Sequence, residues 1–262
     1  MLREETLLAW LHPGLRDEVT RRVYEAQTAY RAGGFHFERG LFDWEERLTT
    51  SPAFPAGGRL LLGGAGAGRE LAPLCRRGYR IVAFEPAAEL AAAARLVARG
   101  YPDADLVQAS YRDLVDAVVR GSGPLVEAVR GGVFDAVILG WGSFPHVLDT
   151  TEQRDLLEVT RTLAPHGPLL LSFFATAPLD AGRMERLRSG LRKTFVRIGA
   201  RGSRDSGRVR FLESSGFVCF HTHQEIARLA SETGYEVGCI GTSALDYALL
   251  VPRGDARASA AS

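Results

Sequence analysis

From Arg59 onward, short apolar runs alternate with longer stretches of helical period, which predicts strand and crossover-helix units around a parallel sheet. Five runs are nearly unbroken in Leu, Val, Ile and Phe: RLLLG from Arg59, RIVAF from Arg80, ADLVQ from Ala104, FDAVIL from Phe134 and LLLSFF from Leu169. Strands read this way when helices cover both faces of the sheet; a strand with one wet face would alternate. Two more runs, YEVGCI from Tyr235 and YALLV from Tyr247, are joined only by GTSALD. That link is too short for a crossover helix, so the pair is expected as an antiparallel hairpin. Seven strands result from this reading. Asp149 with Glu152, and Thr222 with Glu225, have the spacing of capping boxes and set two helix starts.

The remaining chain divides around this core. Residues 1–50 read as a helical lid with interleaved aromatics, among them Tyr24, Tyr30, Phe42 and Trp44, and residues 51–252 as the main domain. An insert at about 180–220 is rich in glycine, serine and basic residues. Between Arg183 and Arg210 it carries ten Lys or Arg against two acids, either a solvated helix face or a place for an anionic substrate. Residues 253–262, RGDARASAAS, have nothing to bury and are expected to be disordered.

Composition narrows the class. At 262 residues, 46% hydrophobic and 24% charged, the chain can bury one large core without staples. A net charge of +1 gives no global footprint for nucleic acid or an anionic membrane, so no partner of either kind is expected. Cys75, Cys219 and Cys239 lie far apart and suit reduced thiols. The N-terminus lacks the basic start and long apolar run of a signal peptide, and no run approaches the ~18 apolar residues of a membrane span. A cytoplasmic protein, monomeric or homodimeric, is the expectation.

Candidate chemistry begins in RLLLGGAGAGRE, where Gly64, Gly66 and Gly68 let backbone approach a ligand closely between a strand and a helix start. Arg69 stands where a dinucleotide fingerprint needs its third glycine, and no GK[ST] of a P-loop occurs. Glu85 ends the next strand, the right place for a carboxylate that accepts from two ribose hydroxyls or, failing that, is simply solvated. Farther on, FDAVILGWGSFPHVLDTTEQRDLLEVTRTLAPHGPLLLSFF runs through strand, small and aromatic strand end, amphipathic helix, glycine break and buried strand.

With these features in this order, the chain resembles the class I S-adenosylmethionine-dependent methyltransferases over about residues 57–252. The resemblance implies an α/β, Rossmann-like fold: a seven-stranded, mostly parallel sheet, helices on both faces, the last strands an antiparallel hairpin and one reversed strand at the edge. It implies S-adenosylmethionine as cofactor and S-adenosylhomocysteine as product, with residues 51–252 as the cofactor-binding catalytic domain. The cofactor would lie on Gly63, Gly64, Gly66 and Gly68, on Glu85 and Pro86, on Ser110 and Tyr111, and on Gly140 and Trp141.

A small-molecule acceptor would meet Tyr24, Trp44, Ser143 and Phe144, because aromatic faces favour a sulfonium or ammonium. Methyl transfer is an in-line displacement that needs alignment first. Where a proton must leave, His146, His221 and His223 are candidate bases and Tyr30 a further catalytic candidate. Each histidine also has a structural reading, as a helix-cap neighbour. His221 and His223 form an HxH pair without the other ligands of a metal site, so no metal is expected.

Two departures stand against the family pattern. Leu62 occupies the position of an acid two residues before the first loop glycine, and Ser110 replaces the acid after the third strand, where Tyr111 or Asp113 is a possible substitute. They keep two alternatives open: internal alkyl transfer releasing methylthioadenosine, or a catalytically silent binding protein. A target-base motif of the NPPY or DPPY kind is missing after the fourth strand, which argues against nucleic-acid methylation.

Overall fold

The five apolar runs form adjacent parallel strands, β1 (Gly58–Gly63), β2 (Tyr79–Glu85), β3 (Ala104–Gln108), β4 (Ala136–Leu139) and β5 (Leu169–Ala175), in the order β3-β2-β1-β4-β5, with β3 at the edge and only partly buried. These come from a computed structural model that describes residues 11–31, 33–176 and 208–254. Successive strand residues feed two separate cores. Leu61, Val137 and Leu171 pack on one face, while Leu60, Leu62, Ile138 and Leu170 pack on the other. The chain turns back on itself between β1 and β4, so a crevice opens beyond their carboxyl ends, where open α/β sheets bind ligands.

The helices described are α1 (Pro13–Glu25), α2 (Phe35–Glu38), α3 (Asp43–Thr49), α4 (Leu71–Arg76), α5 (Ala88–Ala98), α6 (Tyr111–Val119), α7 (Val126–Arg130), α8 (Thr150–Leu163) and α9 (His223–Glu232). Both expected helix starts are present. Thr222 and Glu225 form a full capping box on α9. Asp149 caps α8 alone, because the Glu152 carboxylate turns instead to Arg112 at 2.7 Å. None of the described helices is long and apolar enough to cross a membrane. Cys219 is buried, and Cys75 and Cys239 are partly exposed.

The closing hairpin, β8 (Tyr235–Gly241) with β9 (Asp246–Pro252), is antiparallel as expected. Its placement corrects one detail: β9 also pairs antiparallel with β5, so the reversed strand lies one position in from the edge, and β8 forms the edge.

Among the described residues the strand count is nine, not seven. A second antiparallel hairpin, β6 (Val209–Leu212) with β7 (Gly216–His221), joins the sheet where β5 outruns β4. The last β4 partner on β5 is Leu170, whereas β7 pairs with β5 at Phe174 and Ala175. Exposed Arg210 and the Glu213–Ser215 turn interrupt the apolar pattern here, so the hairpin blends into the basic insert. Residues 177–207 of that insert, residues 1–10 of the lid and residues 255–262 of the tail lie outside the described residues.

The hairpin fixes the lid. Gly216 has φ of 72°, and a Cβ there would stand 2.7 Å from the Thr20 hydroxyl, so glycine lets α1 settle on β7. Thr20 Oγ1 accepts from Phe217 N–H at 3.0 Å in a buried setting. Thr20→Val keeps the shape and strands that N–H, for an expected loss of about 1–3 kcal/mol. Thermal unfolding should show a lower Tm for Thr20→Val and a near-native one for Thr20→Ser.

Candidate functional site

The turn after β1 is built around backbone that only glycine adopts easily. Gly64 and Gly66 have φ of 67° and 55°, and a Cβ on Gly64 would meet Ser143 at 2.5 Å. A Cβ on Gly66 would meet no protein atom, leaving that stretch of backbone open to a ligand. Across the turn, Glu85 at the end of β2 accepts from Gly66 N–H and Ala87 N–H, both at 2.9 Å. These bonds hold the carboxylate in one orientation. Burial pushes its pKa up to about 7, against the downward pull of the two N–H donors.

A cavity of about 690 Å³ opens over this turn, within the ~300–1,000 Å³ typical of small-molecule sites. Gly64, Gly66, Glu85 and Pro86 line one side. Beside them Tyr111 O–H and the Ser143 hydroxyl are 2.6 Å apart, and Ser110 caps α6 through a reciprocal pair of bonds with Asp113. At the rim Arg112 joins three helices, reaching Glu152 of α8 at 2.7 Å and Asp17 of α1 at 3.5 Å. The rim therefore carries both signs of charge.

The opposite wall is aromatic. Tyr24 and Tyr30 ring centroids are 5.3 Å apart, Tyr30 lies 6.3 Å from Trp141, and His36 stacks on Tyr30 at 5.2 Å. His146 Nδ1 lies 2.8 Å from the Phe217 carbonyl oxygen, which can only accept, so Nδ1 carries a proton. Enclosure by protein depresses the His146 pKa to about 4, so the ring is neutral near pH 7 and Nε2 is bare. Tyr24 O–H, 2.9 Å away, donates to it.

Behind Trp141 sits a buried ion cluster. Arg69 forks onto both oxygens of Glu45 in α3, at 2.6 and 2.7 Å, and also bonds Glu70. Its guanidinium lies 4.3 Å from the Phe42 ring centroid, and Phe42 lies 4.7 Å from Trp141. The two carboxylates hold Arg69 above its ordinary range. Burial and the second carboxylate push Glu45 up.

No family model and no curated protein matches the sequence. Solved structures do. A methyltransferase from Methanosarcina mazei, described as SAM-dependent, aligns with a TM-score of 0.56 at 14% identity, covering 81% of this chain and 98% of that one. The glycopeptide N-methyltransferase MtfA in complex with (S)-adenosyl-L-homocysteine aligns at 0.53 and 18%, covering 80% and 89%. The CcbJ methyltransferase of Streptomyces caelestis aligns at 0.51 and 14%, covering 79% and 93%.

The chain has the class I methyltransferase fold. At these identities the likeness is one of architecture, so residue roles must be argued from the site itself.

Of the residues singled out from sequence, Tyr24, Tyr30, Gly64, Gly66, Glu85, Pro86, Ser110, Tyr111, Trp141, Ser143 and His146 all line the one cavity. Others support it from behind. A Cβ on Gly140 would stand 2.4 Å from the Gly64 carbonyl oxygen; one on Gly63 would strike the Phe84 and Tyr111 rings, and one on Gly68 would crowd Leu71 and α5.

Four residues are elsewhere. Trp44 is buried in a parallel stack on Tyr247, centroids 4.5 Å apart. Phe144 is wholly buried in the core. His221 is buried with Nε2 3.1 Å from Gln153 Oε1, and His223 pairs with Asp246 at 2.6 Å, so the two histidines have separate partners. Among the described residues no group of three or more His, Cys, Asp or Glu could hold a metal ion.

Leu62 is fully buried between Ala83 and Ile138 of the neighbouring strands, where a carboxylate would be stranded among apolar groups. Sequence reasoning missed Thr20, Arg112 and His36. The first two act through partners far away in the chain; His36 shows no periodic signal.

Proposed function

We propose that the chain is an S-adenosylmethionine-dependent methyltransferase acting on a small molecule. One observation carries this reading: Glu85, buried and oriented by two backbone N–H groups, faces a ligand-sized cavity beside the open backbone of Gly66. A carboxylate accepts more than two hydrogen bonds, so both oxygens keep lone pairs for a ribose diol.

The residues present suit the cofactor. Glu85 takes the sugar hydroxyls, the Gly64–Gly66 turn takes the amino-acid end, and the side of the cavity formed by Ser110 and Tyr111 takes the adenine. Trp141 and Tyr30 present π faces, which favour a cationic sulfonium. S-adenosylmethionine supplies a methyl carbon activated by positive sulfur, which leaves as a neutral thioether. The protein's part is alignment and exclusion of water, with α1, held in place by β7, closing the acceptor side.

Isothermal calorimetry with S-adenosylmethionine and with S-adenosylhomocysteine tests the reading, and failure of both to bind overturns it. Mass analysis of the spent cofactor then separates methyl transfer, which leaves S-adenosylhomocysteine, from internal alkyl transfer, which leaves methylthioadenosine.

A further inference from the structure

Resting on that reading, we propose that Tyr24 and His146 form a proton relay, and that the methyl acceptor is a hydroxyl group delivered to the Tyr24 oxygen. Both residues line the cavity, and their partners fix the direction of transfer. The Phe217 carbonyl oxygen, 2.8 Å from Nδ1, holds the proton on that nitrogen. Nε2 is therefore the acceptor for Tyr24 O–H at 2.9 Å. The Tyr24 oxygen, having donated its own proton, keeps a lone pair besides the one Ser215 engages for a donor in the cavity.

The ring is also held against rotation. Phe217 is pinned from its other side, since its N–H donates to Thr20 on the same helix that carries Tyr24. Lid helix, added hairpin and the turn Phe144–His146 thus meet at one residue's backbone.

The proton balance is simple. The acceptor O–H proton passes to Tyr24 Oη as the Tyr24 proton passes to His146 Nε2, and the freed oxygen pair forms the new bond to the methyl carbon. The electron pair of the broken carbon–sulfur bond stays on sulfur. Tyrosinate need not accumulate, which matters because burial holds the Tyr24 pKa above its ordinary value, with only a hydrogen bond from Ser215 opposing it.

Charge decides between acceptor classes. With a hydroxyl acceptor the cavity starts with one positive charge, on sulfur, and ends with one, on His146, so the low-dielectric enclosure is not asked to hold more charge. An ammonium acceptor would begin with two positive charges side by side. An acceptor without a proton, such as a tertiary amine or thioether, would have no use for the relay.

Three measurements on the full chain test this. Calorimetry should give S-adenosylhomocysteine dissociation constants within threefold for wild type, Tyr24→Phe and His146→Asn; no binding by wild type would sink the cofactor reading itself. Nitrogen-15 NMR of histidine-labelled protein should show His146 protonated at Nδ1 and bare at Nε2, with Nε2 shifted in Tyr24→Phe; the opposite tautomer overturns the relay. Methyl transfer should be followed on a panel of phenols, catechols and aliphatic alcohols, with primary and tertiary amines alongside. Hydroxyl acceptors should react, and both variants should lose about 10²–10⁴-fold in kcat with little change in KM. Variants that retain wild-type kcat, or a protein that binds S-adenosylhomocysteine yet methylates only amines or nothing on the panel, overturn the proposal.

Discussion

Glu85→Ala should reduce S-adenosylhomocysteine affinity by at least about a hundredfold on calorimetry, since two hydrogen bonds to a charged acceptor contribute roughly 1.5–3 kcal/mol each. The pH dependence is more diagnostic. Burial raises the Glu85 pKa to about 7 from an ordinary 4.5. The ionised form is thus the disfavoured one in the unliganded fold, whose stability falls as pH rises from about 4.5 to about 7. Ribose hydroxyls donate to the ionised form and pull the pKa back down, so binding below about pH 7 releases a proton. Affinity should therefore weaken as pH falls below about 7, by at most about tenfold per unit, and level off above it. Calorimetry in buffers of different ionisation enthalpy would detect the released proton, and Glu85→Gln should abolish the dependence. A flat profile from pH 5.5 to 8 in wild type would show that this carboxylate does not grip the ligand.

How legible this site was in the sequence depended on the range of the interaction involved. The turn from Gly63 to Gly68 and Glu85 is a local pattern, a strand end followed by residues whose backbone conformation dictates their type, and it reads directly. All seven expected strands are present: five were legible as nearly unbroken apolar runs, and the last two from the short link that only a hairpin can close. The β6–β7 hairpin escaped because VRFL and GFVCFH are short, abut a charged insert and gain their partner only from the overhang of β5.

The same limit separates the histidines. His146, His221 and His223 look alike in sequence, yet one accepts from Tyr24, 122 positions away, another bonds Gln153, 68 away, and the third bonds Asp246, 23 away. Trp44 likewise joined the core because Tyr247, near the far end of the chain, offers its ring. Long-range partners decide side-chain roles here, and one sequence does not display them.

Arg69→Met should destabilise the fold by about 3–5 kcal/mol, because two carboxylates with under a twentieth of their surface exposed lose their only described cation. The loss should depend on pH in a defined direction. Burial already pushes the Glu45 pKa up, and without the guanidinium its folded state favours the protonated form further, so it contributes stability at low pH that disappears as pH rises through its raised pKa. Thermal unfolding should therefore show a larger deficit at pH 8 than at pH 5. Adding Glu45→Gln and Glu70→Gln to Arg69→Met should recover much of the deficit and flatten its pH dependence, since neutral groups of similar shape need no counter-charge. Cofactor affinity provides the link to function. Arg69 also backs Phe42, which packs on the cavity residue Trp141. If the cluster serves to seat that wall, the triple variant, although stable, should bind S-adenosylhomocysteine more weakly than wild type, whereas unchanged affinity would confine the cluster to joining α3 to the glycine turn.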